Sequence, residues 1–274
     1  MDLKLFGGFQ LLGDTGQPVP LPARKAKALL AWLAMHPDQN HPRDRLALLL
    51  WEESGESQAR HSLRQALSGL RKALGGEASA LVSNQENVCL QSKAIEVDAL
   101  QFDRLLKQDS NNTLEQAVEL SRGEFLEGFN PRSETYEEWL LVQRSHYRER
   151  ALSAMSRLLD DYLDNAQLEQ GVRLAIRLLG FDPLQERVHR TLMQLYSSMN
   201  RPTDALRQYR HCRRVLFREL NVTPEPETER LFQEINRQRS GVDKTGNIHE
   251  TSSVPDAPEG PTTTIPQPAA SEPS

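Results

Sequence analysis

The sequence has only two cysteines in 274 residues, Cys89 and Cys212. Two cysteines cannot build a disulfide framework or a zinc cluster, so we expect a reducing compartment, most simply the cytoplasm. No apolar run approaches the roughly 18 to 20 residues that cross a bilayer. The first residues, MDLKLFGGFQ, have no basic start followed by a long apolar core, so we expect no signal peptide. These absences exclude a disulfide-rich secreted protein and predict that no membrane is a partner.

The sequence also lacks the residue patterns of catalytic and metal sites. Its seven histidines show no metal-ligand spacing, and no glycine-rich loop precedes a helix at phosphate-binding spacing. Carboxylates are plentiful, but helical periodicity places them on solvated faces. We therefore predict a protein that is not an enzyme, with no catalytic residue, no cofactor and no metal ion.

Charge is distributed unevenly along the chain. The net charge is −5, yet residues 1–76 carry ten Lys and Arg against seven Asp and Glu. A basic segment on an acidic chain is typical of local binding to a polyanion such as a nucleic acid. A length of 274 residues suggests about two domains. We place them at residues 1–98 and 99–240, followed by a tail at 241–274.

One stretch, residues 57–74, combines an apolar stripe with a basic face. It contains no acidic residue, and leucines recur along it at helical spacing. These leucines are Leu63, Leu67, Leu70 and Leu74. The polar positions away from the stripe include Arg60, His61, Arg64, Gln65, Ser68, Arg71 and Lys72. Arg and Gln form paired hydrogen bonds with guanine and adenine edges, and the major groove of double-stranded DNA admits one α-helix. The stretch therefore predicts a DNA recognition helix, and the alternative is an ordinary helix with a solvated basic face.

The region before this stretch predicts a hairpin and two helices. Apolar and polar residues alternate over 3–12 around a Gly-Gly turn. Apolar periodicity predicts a helix over 23–35 and a second helix that Pro42 can start. After a short turn, Ser54 or Ser57 is expected to cap the third helix. A helix, a short turn and a longer basic helix form the helix-turn-helix arrangement.

The region after the basic stretch predicts a second hairpin, from apolar residues at 81–82 and 88–90 around a polar turn. Strands, three helices and a C-terminal hairpin make an α+β winged helix-turn-helix domain, with strands before the first helix as in the OmpR type.

Basic residues near the starts of the first two helices are placed to meet backbone phosphates. They are Arg24, Lys27, Arg43 and Arg45. Arg64 follows the buried Leu63 in the N-terminal half of the third helix, so we expect it to contact a base.

Residues 99–240 predict an all-α domain of helical repeats. Similar residues recur at an offset of 34, which is the tetratricopeptide (TPR) period. The matched pairs are Leu158 and Leu192, Leu159 and Met193, Tyr162 and Tyr196, Gly171 and Ala205, Leu174 and Gln208, and Leu178 and Cys212. We expect the paired helices to approach closely at Gly171 and Ala205, and we assign Tyr162 and Tyr196 to the core. A degenerate unit at 114–120 precedes the two clear repeats.

Single residues in this part of the chain predict where helices begin and end. Asp98 is expected to cap a helix over 99–107. Asn221 can end the long helix before it in a left-handed conformation, and a last helix is expected over 229–237. The tail at 241–274 has six prolines and no aromatic residue, so we predict disorder. It either ends the chain or links it to further domains.

Several motifs, spread over most of the chain, are similar to parts of one family. Residues 59–74, ARHSLRQALSGLRKAL, look like its recognition helix, and residues 122–129, RGEFLEGF, look like the opening of its second domain. Residues 192–196 with 205–209 are similar to the repeat core of that domain, and residues 218–228 are similar to its closing signature. The family is that of the SARP-type transcriptional regulators of bacteria, in which a bacterial transcriptional activator domain (BTAD) follows a winged helix.

The resemblance covers roughly residues 1–238 and implies a sequence-specific DNA-binding transcriptional regulator, usually an activator. The implied partners are double-stranded DNA at promoter direct repeats, RNA polymerase and a second copy of the chain in a homodimer. Two positions depart from the family pattern: residues 87–90 lack the basic side chain that family wings often carry, and Asn221 stands where Gly is common. The alternative is a TPR-type protein-interaction scaffold, or the regulatory module of a larger multidomain signalling protein. Binding to such a scaffold would be indifferent to added duplex DNA.

Overall fold

The fold is predominantly helical, with two small sheets in its N-terminal part. The computed structural model describes residues 1–93, 95–108 and 110–245, and from residue 240 onward only the backbone. In chain order the elements are β1 (Asp2–Lys4), β2 (Gln10–Leu12), α1 (Arg24–Met35), β3 (His41–Pro42), α2 (Arg43–Trp51), α3 (Glu56–Leu74), a 3-10 turn (Gly75–Ala80), β4 (Leu81–Ser83), β5 (Asn87–Leu90), β6 (Glu96–Val97), α4 (Asp98–Leu106), α5 (Asn111–Leu120), α6 (Glu134–Asp164), α7 (Leu168–Phe181), α8 (Glu186–Ser198), α9 (Pro202–Leu220) and α10 (Pro226–Thr245). Helix α10 thus runs into the expected tail, and the rest of that tail, 246–274, lies outside the described residues.

Both hairpins expected from the sequence form, and each gains a short third strand. β1 and β2 pair antiparallel with Leu3 opposite Leu11, and β4 and β5 pair antiparallel with Val82 opposite Cys89. β6 joins β1 in parallel, and β3 joins β5 antiparallel. The added strands have two residues each, which is too short for an alternating pattern to reveal them.

Helix α3 begins without the side-chain cap that the sequence suggests. Gly55 occupies the cap position, and its carbonyl accepts a hydrogen bond from the N–H of Ala59 at 2.9 Å. The expectation that Ser54 or Ser57 caps this helix is wrong. The N–H of Ser54 donates to the Trp51 carbonyl at 2.9 Å, so Ser54 belongs to the preceding turn, while Ser57 already lies inside α3.

Helices α5 to α10 pack in succession, each against the next. The two units of the 34-residue repeat fall on the helix pairs α6–α7 and α8–α9. The small residues were predicted to mark close approach of the paired helices. A Cβ atom on Gly171 would lie 3.2 Å from Leu195 Cδ1 on α8 of the next unit, and 3.8 Å from Leu159 Cδ1 on its paired helix α6, so the closest approach there is between units. Ala205 is fully buried. Asn221 ends α9 in the left-handed conformation, with φ 55°, and this prediction is confirmed.

The pattern assigned the two repeat tyrosines to the core, but both are only partly buried. The Tyr162 hydroxyl donates to Glu115 Oε1 at 2.9 Å on α5. The guanidinium of Arg201 lies over the Tyr196 ring, 4.9 Å from its centroid. A phenol hydroxyl needs a hydrogen-bond partner or water, which favours the edge of the stack over its interior.

The last helix begins earlier than expected, at Pro226 instead of residue 229.

The predicted capping role of Asp98 is wrong, because α4 begins at Asp98 itself and Val97 holds the cap position. The Asp98 carboxylate accepts hydrogen bonds from the N–H groups of Leu5 at 2.8 Å, Phe6 at 3.1 Å and Ala99 at 2.8 Å. Burial raises the pKa of Asp98 to about 6, although these donors lower it. The side chain therefore fastens the N-terminal segment of the chain to α4.

An aromatic cluster joins the N-terminal part to the helical stack, and we call it the aromatic seam. Its members are Phe6, Phe9, Trp32, Phe102, Phe125, Phe129, Tyr136, Trp139 and Tyr147. The ring centroid of Phe6 lies 5.4 Å from those of Phe102 and Tyr147, and that of Trp32 lies 5.0 Å from that of Trp139. Such pairs contribute about 0.5–1.5 kcal/mol beyond their burial. The two parts of the chain therefore share one hydrophobic core.

Glu52, in the turn between α2 and α3, caps helix α6. Its carboxylate accepts hydrogen bonds from the N–H of Glu134 at 2.5 Å, the N–H of Thr135 at 3.2 Å and the Thr135 hydroxyl. The first N–H groups of a helix have no partner within it, so this carboxylate satisfies two of them. The Ser133 hydroxyl adds a hydrogen bond to the Leu49 carbonyl at 2.6 Å. The turn that leads into α3 is thereby tied to α6.

We predict that Glu52→Ala lowers the free energy of unfolding by about 1 kcal/mol, the usual cost of losing a helix cap. Glu53→Ala, which removes the exposed neighbouring carboxylate, should change it by less than about 0.5 kcal/mol. The Thr135 hydroxyl and the capped N–H groups lower the pKa of Glu52, so its contribution is complete above its ordinary pKa of 4.5 and is lost as the pH falls through the lowered value. Urea unfolding at neutral and at acidic pH measures these differences. Equal losses for the two variants at neutral pH would contradict the capping role.

Candidate nucleic-acid interface

Helix α3 presents the polar face that the sequence predicts. Its leucine stripe is buried, with no member more than 2% exposed: Leu63, Leu67, Leu70 and Leu74. The seven polar residues singled out on the other face are all exposed: Arg60, His61, Arg64, Gln65, Ser68, Arg71 and Lys72. The buried stripe fixes which way the helix faces, so this polar surface is available to another molecule.

These seven side chains form three rows along α3, because successive residues turn by about 100° around a helix axis. His61, Arg64 and Ser68 lie along the middle, with Arg60 and Arg71 on one side and Gln65 and Lys72 on the other. The first side faces α2 and the hairpin β4–β5, and the second faces the start of α1. Each outer row therefore has a different neighbour.

The hairpin side of α3 gathers three arginines. Arg71 donates from Nη2 to Ser83 Oγ at 2.6 Å, and Arg43 donates from Nη1 to the Asn84 carbonyl at 3.2 Å. Desolvation lowers the pKa of Arg43, and the nearby charges of Arg71 and Arg64 lower it further. Asp44 and Glu56, in the cleft between α3 and the hairpin, are paired with Arg60. Arg43, Arg64 and Arg71 therefore leave an excess of positive charge beside Glu86, the one further acid among the described residues of this cleft, and this surface suits an anion.

Arg60 is bound to two carboxylates of the chain. Its Nε and Nη2 donate to the two carboxylate oxygens of Asp44 at 2.9 and 3.2 Å, and Nη2 lies 2.7 Å from Glu56 Oε1. The hydrogen bond to Asp44 and the charges of both acids raise the pKa of Arg60, and the same hydrogen bond lowers the pKa of Asp44. Sequence reasoning missed the pair because Asp44 lies 16 residues earlier, on another helix. Arg60 must give up an ion pair before it binds elsewhere.

A cleft lies between the start of α1 and α3, and we call it the α1 cleft. Its polar and aromatic lining includes Arg24, Lys25, Trp51, Glu53, Gln65, Lys72 and Arg132. The Lys25 ammonium lies 5.6 Å from the centroid of the Trp51 ring. Helix α1 starts with no side-chain cap and no acidic residue in its first turn, so its free N–H groups add positive potential. Lys25 and Arg132 are absent from the predicted binding residues. Lys25 follows Arg24 directly, but no local pattern marks Arg132.

Two of the predicted phosphate-binding residues face other parts of the molecule. The Lys27 ammonium lies 5.6 Å from the centroid of the Phe9 ring, at the aromatic seam. Arg45 borders an apolar cleft between α2 and α6. The structure therefore brings Arg24 and Arg43 to the two sides of α3, but not Lys27 or Arg45.

The remaining reactive groups add no metal or thiol chemistry to this surface. Burial raises the pKa of Cys89 and raises that of Cys212 to about 12, so neither thiol is activated. Among the described residues, no group of three or more His, Cys, Asp or Glu side chains could hold a metal ion. Over 1–93, 95–108 and 110–245, no helix combines the length and the apolarity needed to cross a bilayer.

The C-terminal part of the chain matches a known family of domains. Residues 97–236, half of the chain, match the bacterial transcriptional activator domain. This match defines the class as bacterial transcriptional regulators whose activator domain is built from helices. The chain belongs to the SARP-type family of these regulators.

Two relatives extend the similarity to the N-terminal part. The chain is 28% identical to the regulatory protein AfsR of Streptomyces coelicolor over 235 residues, which cover 80% of this chain and 23% of AfsR. It is 28% identical to the transcriptional regulatory protein EmbR of Mycobacterium tuberculosis over 261 residues, which cover 87% of this chain and 64% of EmbR. The structure of Mycobacterium tuberculosis EmbR in complex with a low affinity phosphopeptide shares the fold, with a TM-score of 0.61 and 24% identity over 89% of this chain and 68% of that one. The chain thus spans about a quarter of AfsR and somewhat under two thirds of EmbR.

Proposed function

We propose that the chain is a sequence-specific regulator that binds double-stranded DNA, with residues 1–98 forming a winged helix-turn-helix and α3 entering the major groove. The observation that carries this proposal is the exposed polar face of α3, which lies between two clusters of positive charge. A helix with its side chains is about 10–12 Å across and the major groove is about 12 Å wide, so one fits the other. Helices α2 and α3 then form the helix-turn-helix, and the hairpin β4–β5 forms the wing.

Arg64 is the residue we assign to a base edge. It lies in the middle row of α3, and its side chain forms no hydrogen bond or ion pair with the described residues. We assign phosphate contacts to Arg43 and Arg71 on the hairpin side and to Arg24 on the other side. The wing contact depends on these arginines because residues 87–90 carry no basic side chain.

The regulator acts as an activator that binds promoter direct repeats as a homodimer and contacts RNA polymerase through or beside its helical domain. Membership of the family supports this role. Leu48 and Val142 are 62% and 63% exposed at the apolar cleft between α2 and α6, a surface that suits a protein partner.

A protein that binds promoters acts in the cytoplasm of a bacterium, and this function requires no catalysis and no cofactor. The apolar cleft between α2 and α6 would also suit a pure interaction scaffold, and the binding of such a scaffold to its protein partner would not change when duplex DNA is added.

Binding to duplex DNA should weaken steeply as salt rises. About four to six phosphate contacts per protomer give a log–log slope of affinity against salt of roughly −4 to −5. Titration of a labelled duplex from the promoter region beside the protein's own gene, between about 50 and 200 mM salt, measures this slope. A slope near zero, or the absence of binding, would overturn the proposal.

Arg64→Ala should cost about 1–3 kcal/mol on the cognate duplex and flatten the preference at one base position, because it removes a base contact. Arg24→Ala should weaken cognate and scrambled duplexes alike and make the salt slope shallower by about one. Paired titrations on the two duplexes distinguish these effects. If Arg64→Ala weakened both duplexes equally while Arg24→Ala changed the preference, the two sides of the interface would be assigned the wrong way round.

Arg60→Ala should weaken binding less than Arg64→Ala, because Asp44 and Glu56 already hold Arg60. Asp44→Asn removes one of the two carboxylates that hold Arg60 and leaves Glu56. This variant should strengthen binding, at most by the roughly eightfold effect of one added phosphate contact at 0.1 M salt. Asp164→Asn makes the same charge change at an exposed position in the last turn of α6 and should leave affinity unchanged. Equal losses for Arg60→Ala and Arg64→Ala would show that the ion pairs do not restrain Arg60.

A further inference from the structure

The α1 cleft is lined in part by a charged residue of the second domain. Arg24, Lys25 and Lys72 line it from the N-terminal domain, and Arg132 lines it from the loop before α6. Against these four cations the lining contains one acid, Glu53. The Arg132 side chain is exposed, and within the described part of the chain it forms no hydrogen bond or ion pair. An exposed arginine of the second domain therefore lines the same cleft as the α1 side of α3.

The backbone fixes Arg132 at this position. Its φ is 60°, a left-handed conformation that few residues other than glycine adopt, and its N–H donates to Asn130 Oδ1 at 2.6 Å. The next residue, Ser133, donates through its hydroxyl to the Leu49 carbonyl at 2.6 Å, and Glu52 caps the helix that follows. Arg132 is therefore tied to α2 through its immediate neighbours, although it belongs to the second domain.

A helix in the major groove has a line of phosphates on each side, one from each DNA strand. The hairpin side of α3 meets one strand with Arg43 and Arg71. The α1 side carries Lys72 and faces the uncapped start of α1, where Arg24 lies. Free N–H groups at a helix start and nearby cations both favour a phosphate. Charge complementarity therefore selects the second DNA strand as the occupant of the α1 cleft.

We propose that Arg132 binds a backbone phosphate of this second strand, so that the activator domain contributes directly to the DNA interface. The proposal rests on the proposed DNA-binding function and adds a contact outside residues 1–98. The loop that carries Arg132 also supplies the capped start of α6. A displacement of α6 relative to α2 would therefore change the affinity for DNA.

The test uses the full chain and titrates cognate and scrambled duplexes at several salt concentrations. Arg132→Gln removes the charge and keeps most of the side-chain length, and Arg214→Gln removes the same charge from an exposed position on α9. Loss of one phosphate contact should lower the affinity about eightfold at 0.1 M salt, equally on both duplexes, and make the slope shallower by about 0.9. Arg214→Gln should match the wild type. Arg132→Lys should recover most of the affinity, because a phosphate accepts a point charge.

A wild-type affinity and slope for Arg132→Gln, or equal losses for Arg132→Gln and Arg214→Gln, would overturn the inference. In both cases DNA binding by the wild type would leave the proposed function standing, whereas a wild type that bound no DNA would remove both. Circular dichroism verifies that the variants fold. If Arg132→Gln is unstable, Arg132→Gly, which suits the φ of 60°, replaces it as the charge-removing variant and must show the same loss.

Discussion

One carboxylate ties the turn that leads into α3 to the first turn of α6. Glu52 lies in the turn that leads into α3, and it accepts hydrogen bonds from the first N–H groups of α6. Those groups would otherwise lack a partner, so the helix start and the turn stabilise each other. The helix that we assign to DNA begins at Glu56, directly after this contact. Its direction is therefore set against α6 of the activator domain as well as by its own short turn.

The two domains that Glu52 connects also share one hydrophobic core. The aromatic seam buries side chains from both domains in one cluster, and Asp98 holds the N–H groups of Leu5 and Phe6. Because burial raises the pKa of Asp98 to about 6, the folded state binds its proton more tightly than the unfolded chain does. This group therefore favours folding most below its ordinary pKa of 3.8, and that contribution is lost as the pH rises through about 6. Glu52 has the opposite dependence, so the two carboxylates at the junction stabilise it over different pH ranges.

Local patterns predicted more of this fold than of its long-range contacts. The leucine stripe of α3 and the left-handed helix end at Asn221 follow from residue types within a few helical turns. Asp44, one of the two partners of Arg60, lies 16 residues away in sequence, and the partners of Glu52 lie at least 81 residues away, so no periodicity records these contacts. The sequence also could not predict that Lys27 lies at the aromatic seam, because α1 is buried on most of its sides and its apolar pattern does not single out one exposed face. The candidate site was thus predicted where one helix face defines it and missed where two domains meet.

The central claim is that α3 occupies the major groove, and the most direct test is chemical protection of the bound promoter duplex. Dimethyl sulfate methylates guanine at N7, which lies in the major groove, and adenine at N3, which lies in the minor groove. We expect saturating protein to protect at least one guanine N7 in each bound site and to leave adenine N3 opposite α3 reactive. We expect no such guanine protection with Arg64→Ala. Unchanged reactivity of every guanine N7 at full occupancy would contradict it.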